Sequence, residues 1–223
     1  MVVVLGPIVV AVVVAARTVK VTPPPAGQPW KPPVEASLDT YDPQANPFEL
    51  TKPNVLGLPL KHKVAVVIDA SSVSRDWLGL VKQAVMRGTD YEMSSLTIQV
   101  LLLTEDGIKT FPDQPVAFAD LDQAQMRQFL TGTMAAGTQE LKPGLERALA
   151  SDPEQVIVVT GQELSVEQLA ALENLLKQHS NVQFDAVVIG APDSGLQNLA
   201  GRYQGRCVLL APEKLNEWYE ATL

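Results

Sequence analysis

The 223-residue chain is 46% hydrophobic with a formal net charge of -8, which is enough apolar material to bury a full core in one domain or two. Beyond residue 62 it holds 12 basic against 21 acidic side chains and no basic cluster, which excludes a phosphate-binding face and so nucleic acid as a partner. Cys207 is the only cysteine, which excludes an intrachain disulfide and a cysteine-based zinc site.

Residues 2–16 carry no charge. As a helix they extend roughly 22 Å at about 1.5 Å per residue, short of a hydrocarbon core of about 30 Å. Continuing through Arg17 and Lys20, whose stems bury while their charges reach the interface, makes residues 1–21 long enough for a transmembrane helix that anchors the chain to a membrane. A cleaved signal peptide ending at Val14, Ala15 and Ala16, and a buried core segment, are the alternatives. Orientation stays open. Arg17, Lys20 and Lys31 follow the run and would hold the globular part on the cytoplasmic side, whereas a basic segment upstream would reverse the count.

Residues 22–62 change character. Pro23, Pro24, Pro25, Pro29, Pro32, Pro33, Pro43, Pro47, Pro53 and Pro59 are too dense for a helix or a central strand, and predict an extended proline-rich linker. Its last part, with Phe48, Leu50, Val55, Leu56 and Leu58, is apolar enough to pack onto the globular part of the chain.

From residue 63 to residue 223, strand and helix patterns alternate. Residues 63–69 are an apolar, β-branched run ending in Asp69, and 74–88 place Trp77, Leu80, Val81, Ala84 and Val85 at helical spacing. Residues 96–103 are a second buried strand, followed by a turn at 105–107 and a short antiparallel partner at 108–111. Helices are expected over 121–130, introduced by Asp120, and over 139–150, with Pro143 in the first turn. Then come a strand at 155–160, a helix from Ser165 to His179, a strand at 184–189, a helix at 196–202, a strand at 207–210 and a last helix at 213–219. A full capping box at Ser165 is expected to need Glu where Gln168 stands. The alternation predicts an α/β domain with a doubly wound, mostly parallel sheet covered on both faces. Its ligand-binding edge lies at the carboxyl ends of the strands, where Asp69, Ser71, Ser72 and Ser74 form an oxygen-rich loop.

This order of elements, with residues 64–74, Ala136, Gly137 and Thr138 ahead of a helix, residues 156–161, residues 187–190 followed by Leu196, Leu199 and Ala200, and then Gly205, resembles a von Willebrand factor type A domain. The resemblance covers residues 64–211. It implies a Rossmann-like sheet that mediates adhesion or assembly with a protein partner. Many such domains hold Mg²⁺ at a metal-ion-dependent adhesion site built from an Asp-x-Ser-x-Ser loop, a Thr from a second loop and an Asp after the fourth strand. Asp69, Ser71 and Thr138 match that set, whereas Val73 stands at the second serine and Gly161 at the later aspartate. The resemblance therefore implies a degenerate site without a cofactor; Mg²⁺ on Asp69, Ser71 and Thr138 is the alternative. Ser72, Ser74, Gln162 and Glu163 are the substitutes available if the loops shift, and Thr104, Asp106, Ala135, Gln139 and Gln162 belong near the rim.

Enzyme signals are thin. His62 and His179 have polar neighbours and read as surface residues, and the glycines at 190 and 195 lack the Lys-Ser/Thr of a phosphate loop. No dinucleotide or nucleophile-elbow motif is present, and Cys207 sits in an apolar strand as an inert thiol. The reading is a non-enzymatic, membrane-anchored binding or scaffolding domain. A small-molecule or hydrolytic α/β enzyme using the strand-end crevice is the alternative.

Overall fold

The computed structural model describes residues 54–89, 96–190 and 192–221. The anchor assigned to 1–21 lies outside the described residues, as does the linker up to residue 53. Among the described residues no helix is long and apolar enough to cross a membrane.

A two-stranded hairpin, β1 (Asn54–Val55) and β2 (Leu58–Pro59), precedes the main elements: β3 (Lys63–Asp69), α1 (Leu78–Thr89), β4 (Thr97–Thr104), β5 (Gly107–Ala117), α2 (Gln123–Thr131), α3 (Leu141–Leu149), β6 (Gln155–Thr160), α4 (Val166–Gln178), β7 (Gln183–Ile189), α5 (Ser194–Arg202), β8 (Cys207–Leu210) and α6 (Pro212–Glu220). Six strands form one sheet in the order β5-β4-β3-β6-β7-β8. Only β5 runs antiparallel to its neighbour.

Side chains alternate across the sheet, so each strand feeds two cores. Val64, Val66 and Ile68 of β3 join Val81 and Val85 of α1, Met126 and Leu130 of α2 and Leu215 of α6 on one face. Ala65 and Val67 join Leu145 of α3, Leu172 and Leu176 of α4 and Leu196 of α5 on the other. Each fully buried aliphatic side chain contributes roughly 1.5–3 kcal/mol, and coverage of both faces is why the central strands read as continuous apolar runs. Val55, Leu56 and Leu58, placed in the linker by sequence, are buried in the first of these cores.

Local differences from the sequence reading have physical causes. The antiparallel strand β5 continues past residue 111 to Ala117, through Pro112 and Pro115. An edge strand tolerates residues that lack an N–H, and the register shifts between Ile98 and Val100. There the Gln99 amide donates to the carbonyls of Pro112 and Asp113 at 3.2 and 3.0 Å. The residues after β3 first form a short 3-10 turn over Ser72–Ser74, so α1 starts at Leu78. Asp122, not Asp120, caps α2 by accepting from the Gln125 N–H at 2.9 Å. At α4 the capping box is complete with Gln168, whose amide oxygen accepts from the Ser165 N–H as Ser165 Oγ accepts from the Gln168 N–H. A neutral amide supplies the same acceptor as a carboxylate there.

A buried polar network holds the amino-terminal end of the sheet. Asp185 is fully buried; its carboxylate accepts from the Gln155 and Gln183 amides, both at 2.7 Å, and from the Arg206 N–H at 2.7 Å. Gln155 also donates to the Pro59 carbonyl and accepts from the Lys61 N–H, which ties the hairpin segment to β6. Burial pushes the Asp185 carboxyl above its ordinary value of 3.8, against the opposing hydrogen bonds. The folded state therefore holds this proton more tightly than the unfolded chain. The associated stability is fully present below the ordinary value and is lost as pH rises through the folded one. Urea unfolding of wild type and Asp185→Asn at neutral pH and at about pH 4 is expected to show the wild type gaining on the variant as pH falls. An unchanged difference contradicts the shift.

Candidate functional site

In the strand order, β3 and β6 are the neighbours whose following helices leave to opposite faces, α1 to one core and α4 to the other. That is the switch point of a doubly wound sheet, where a crevice opens between diverging loops. Asp69 ends β3 and Thr160 ends β6, so each stands at this crevice.

Asp69 is fully buried. Its Oδ1 accepts from the Ser71 N–H at 2.8 Å; its Oδ2 accepts from the Thr160 hydroxyl at 3.0 Å and from the Gln162 amide at 2.8 Å. The same Gln162 Nε2 donates to the Gln139 carbonyl at 2.9 Å, and the Gln162 N–H donates to Thr160 Oγ1 at 3.0 Å. One amide thus bridges a carboxylate on β3 and a carbonyl on the loop before α3.

Backbone bonds lock the loops together. Ser72 N–H donates to the Gly137 carbonyl at 2.9 Å, Ala136 N–H to the Ala70 carbonyl at 3.0 Å, and Ala70 N–H to the Leu103 carbonyl at 3.0 Å. Ser74, buried, returns its hydroxyl to the Ser71 carbonyl at 2.8 Å.

Of the residues singled out by sequence, Asp69 and Ser71 are joined directly through the Ser71 N–H. Thr138 follows Gly137 on the same rim but is exposed, and among the described residues no hydrogen bond links it to Asp69. Val73 presents hydrocarbon to solvent at 52% exposure. A Cβ built at Gly161 would lie 3.1 Å from the Ile189 carbonyl oxygen and 3.1 Å from the Trp77 ring, so a larger side chain there requires the indole or the strand to move. Thr104 turns its hydroxyl to the Gly107 carbonyl at 2.8 Å and closes the β4–β5 turn.

A divalent cation coordinates through oxygen lone pairs and favours anionic ones. Here three donors, the Ser71 N–H, the Thr160 hydroxyl and the Gln162 NH₂, take three of the roughly four lone-pair positions of the Asp69 carboxylate. Ser71 Oγ is a buried hydroxyl without a hydrogen-bond partner. Among the described residues no second carboxylate hydrogen-bonds into this network, which leaves Asp69 as its one anionic group. Asp69 thus sits in a hydrogen-bond network of three donors, with the unpaired Ser71 hydroxyl nearby in sequence. Because the Ser71 hydroxyl is desolvated without return, Ser71→Ala is expected to leave stability unchanged or raise it by up to about 1 kcal/mol in urea unfolding. A comparable loss would show that the hydroxyl has a stabilising partner.

Around this centre the rim carries exposed hydrocarbon and charges of both signs, with Arg75 exposed beside Val73 and Lys82 bonded to the Thr133 carbonyl next to Met134. Met134 is 84% exposed, and Glu105, Asp106, Glu140 and Glu163 are exposed on the surrounding loops. Adjoining the rim at Glu140, a groove of about 220 Å³ between α3 and α4 is lined by Leu141, Leu164 and Leu172 with Glu140, Lys142 and Glu167. Lys142 is paired with Glu146. The Cys207 thiol is pushed up to about 11, chiefly by burial and then by Asp193, which makes it a poor nucleophile.

The sheet order, the two helical layers and the rim define a von Willebrand factor type A fold. No protein-family model matches the sequence, and no curated protein matches it. Solved structures do. A von Willebrand factor type A protein from Catenulispora acidiphila is 18% identical with a TM-score of 0.58, over 74% of this chain and 42% of that one. The N-terminal domain of TFIIH p34 is 13% identical with a TM-score of 0.54, over 70% of this chain and 94% of its own. Proximal thread matrix protein 1 of the mussel byssus, in a structure with a zinc-occupied MIDAS motif, is 17% identical with a TM-score of 0.50, over 71% of this chain and 43% of that one. This chain therefore matches about two fifths of the first and third proteins, and the likeness at these identities is one of fold.

Proposed function

We propose that this chain is a membrane-tethered protein-binding module whose type A rim works without a divalent cation. The reading is carried by the Asp69 carboxylate, hydrogen-bonded on both oxygens by Ser71, Thr160 and Gln162. With three of its roughly four lone-pair positions taken by the protein's own donors, the carboxylate is held in place without a cation or a partner's acidic group. What the rim offers instead is exposed hydrocarbon at Val73 and Met134 amid charges of both signs, a surface that complements a partner segment with apolar and charged side chains. A mussel thread matrix protein shares the fold, which supports an assembly role. Residues 1–21 supply the tether, with the side of the membrane open, and residues 22–53 the spacer.

Crosslinking of the full chain in native membranes, read by mass spectrometry with and without EDTA, tests this reading. A specific partner is expected to survive EDTA, to be lost in the double variant Val73→Asp/Met134→Asp, and to be kept by Glu154→Lys at the opposite end of the sheet. Loss in EDTA, or indifference to the rim variant, overturns it. Crosslinks only between copies of this chain would replace the adaptor with a self-assembling scaffold.

A further inference from the structure

We infer that Gln162 is the residue that sets the rim's ligand chemistry: its side-chain amide takes the place of a cation, and the single exchange Gln162→Glu turns the closed network into a divalent-metal site. The inference rests on the metal-independent reading above and goes on to name the group responsible.

The geometry is specific. Gln162 Nε2 lies 2.8 Å from Asp69 Oδ2 and 2.9 Å from the Gln139 carbonyl oxygen, so it joins the end of β3 to the loop before α3. A cation at a strand-end rim would tie loops together in the same way. The amide does so with partial positive charge and directed N–H bonds, and without a hydration shell to shed. Thr160 fixes it in place by accepting the Gln162 N–H while donating to the same carboxylate oxygen. Gly161, packed against Trp77, keeps the preceding position free of any side chain that would compete.

A glutamate side chain at this position has the same length and shape but presents lone pairs where the amide presented hydrogens. The introduced carboxylate would then face both Asp69 and the Gln139 carbonyl. Two carboxylates at such a distance cannot both ionise without a cation between them. The variant is therefore expected to be destabilised in EDTA and restored by metal, because binding to the folded state alone raises its stability. All the oxygens involved are hard, which suits Mg²⁺ or Mn²⁺.

The test is a Mn²⁺ titration of the full chain followed by electron paramagnetic resonance, with thermal unfolding in EDTA and in Mn²⁺. Wild type is expected to show no saturable site below about 1 mM and no shift in melting temperature, whereas Gln162→Glu gains at least about tenfold in Mn²⁺ affinity and recovers its melting temperature on Mn²⁺ addition. Gln162→Ser, which removes the amide without adding charge, is expected to gain less, and it carries the test if the glutamate variant does not fold. A wild type that binds Mn²⁺ through Asp69 overturns both this inference and the metal-independent reading. A wild type blind to Mn²⁺, with whichever variant folds equally blind, overturns this inference alone.

Discussion

Asp69→Ala is expected to lower the free energy of unfolding by about 3 kcal/mol or more, in EDTA as well as in Mg²⁺. The exchange strips the acceptor from the Ser71 N–H, the Thr160 hydroxyl and the Gln162 amide at once, at a residue with no solvent exposure. Each buried donor left unpaired costs roughly 1–3 kcal/mol, though the Thr160 hydroxyl can rotate to another acceptor and recover part. Asp69→Asn keeps one acceptor oxygen and is expected to cost about half as much, since one of its faces then sets donor against donor. The sign separates two physical pictures. In a rim whose carboxylate waits for a cation, removing that carboxylate in EDTA relieves an unpaired buried charge and leaves stability level or higher. Urea unfolding of the three proteins in EDTA distinguishes them.

The second large effect is expected at Gly205, where alanine should cost about 3–5 kcal/mol or prevent folding. A Cβ at this position is driven into the backbone carbonyl of Phe184 at the start of β7. Backbone cannot move aside as a flexible side chain can. The loop it occupies also supplies the Arg206 N–H to Asp185 at 2.7 Å and the Arg206 carbonyl to the Ala186 N–H at 2.9 Å, so displacing it strips the buried carboxylate of a donor. The control lies four residues earlier. Gly201, in the exposed face of α5, has nothing within 4 Å of an added Cβ, and Gly201→Ala is expected to stabilise by up to about 1 kcal/mol through helix propensity. Equal effects at the two glycines in thermal unfolding contradict the packing argument.

Much of this architecture is written in local pattern. The β-branched runs at 64–68 and 155–160 are legible because a strand covered on both faces must be apolar throughout, and the acidic end of the first run places Asp69 on the rim. Gly205 is legible as a marker through its place between a helix and a closing strand; the Phe184 carbonyl that demands it is not. The long edge strand is hidden because Pro112 and Pro115 argue against a strand when the pairing partner is unknown. The Asp185 network is hidden for a related reason: Gln155 and the Gln183/Asp185 pair are ordinary polar residues on two different strands, and only strand register brings Gln155 to the pair. At the rim, spacing alone finds Asp69 and Ser71. It also places Gln162 near the rim, yet the part this residue plays in the network depends on a side-chain path across to Gln139, which no periodicity encodes.

The central claim is that an amide, not a cation, satisfies Asp69. Nuclear magnetic resonance of the Gln162 side-chain NH₂ in the full chain, assigned by its disappearance in Gln162→Glu, addresses it most directly. The account predicts slow solvent exchange for these protons, a return to rapid exchange in Asp69→Ala, and no displacement on addition of Mg²⁺. A freely exchanging Gln162 amide in wild type, or one that Mg²⁺ displaces at low millimolar concentration, would contradict it.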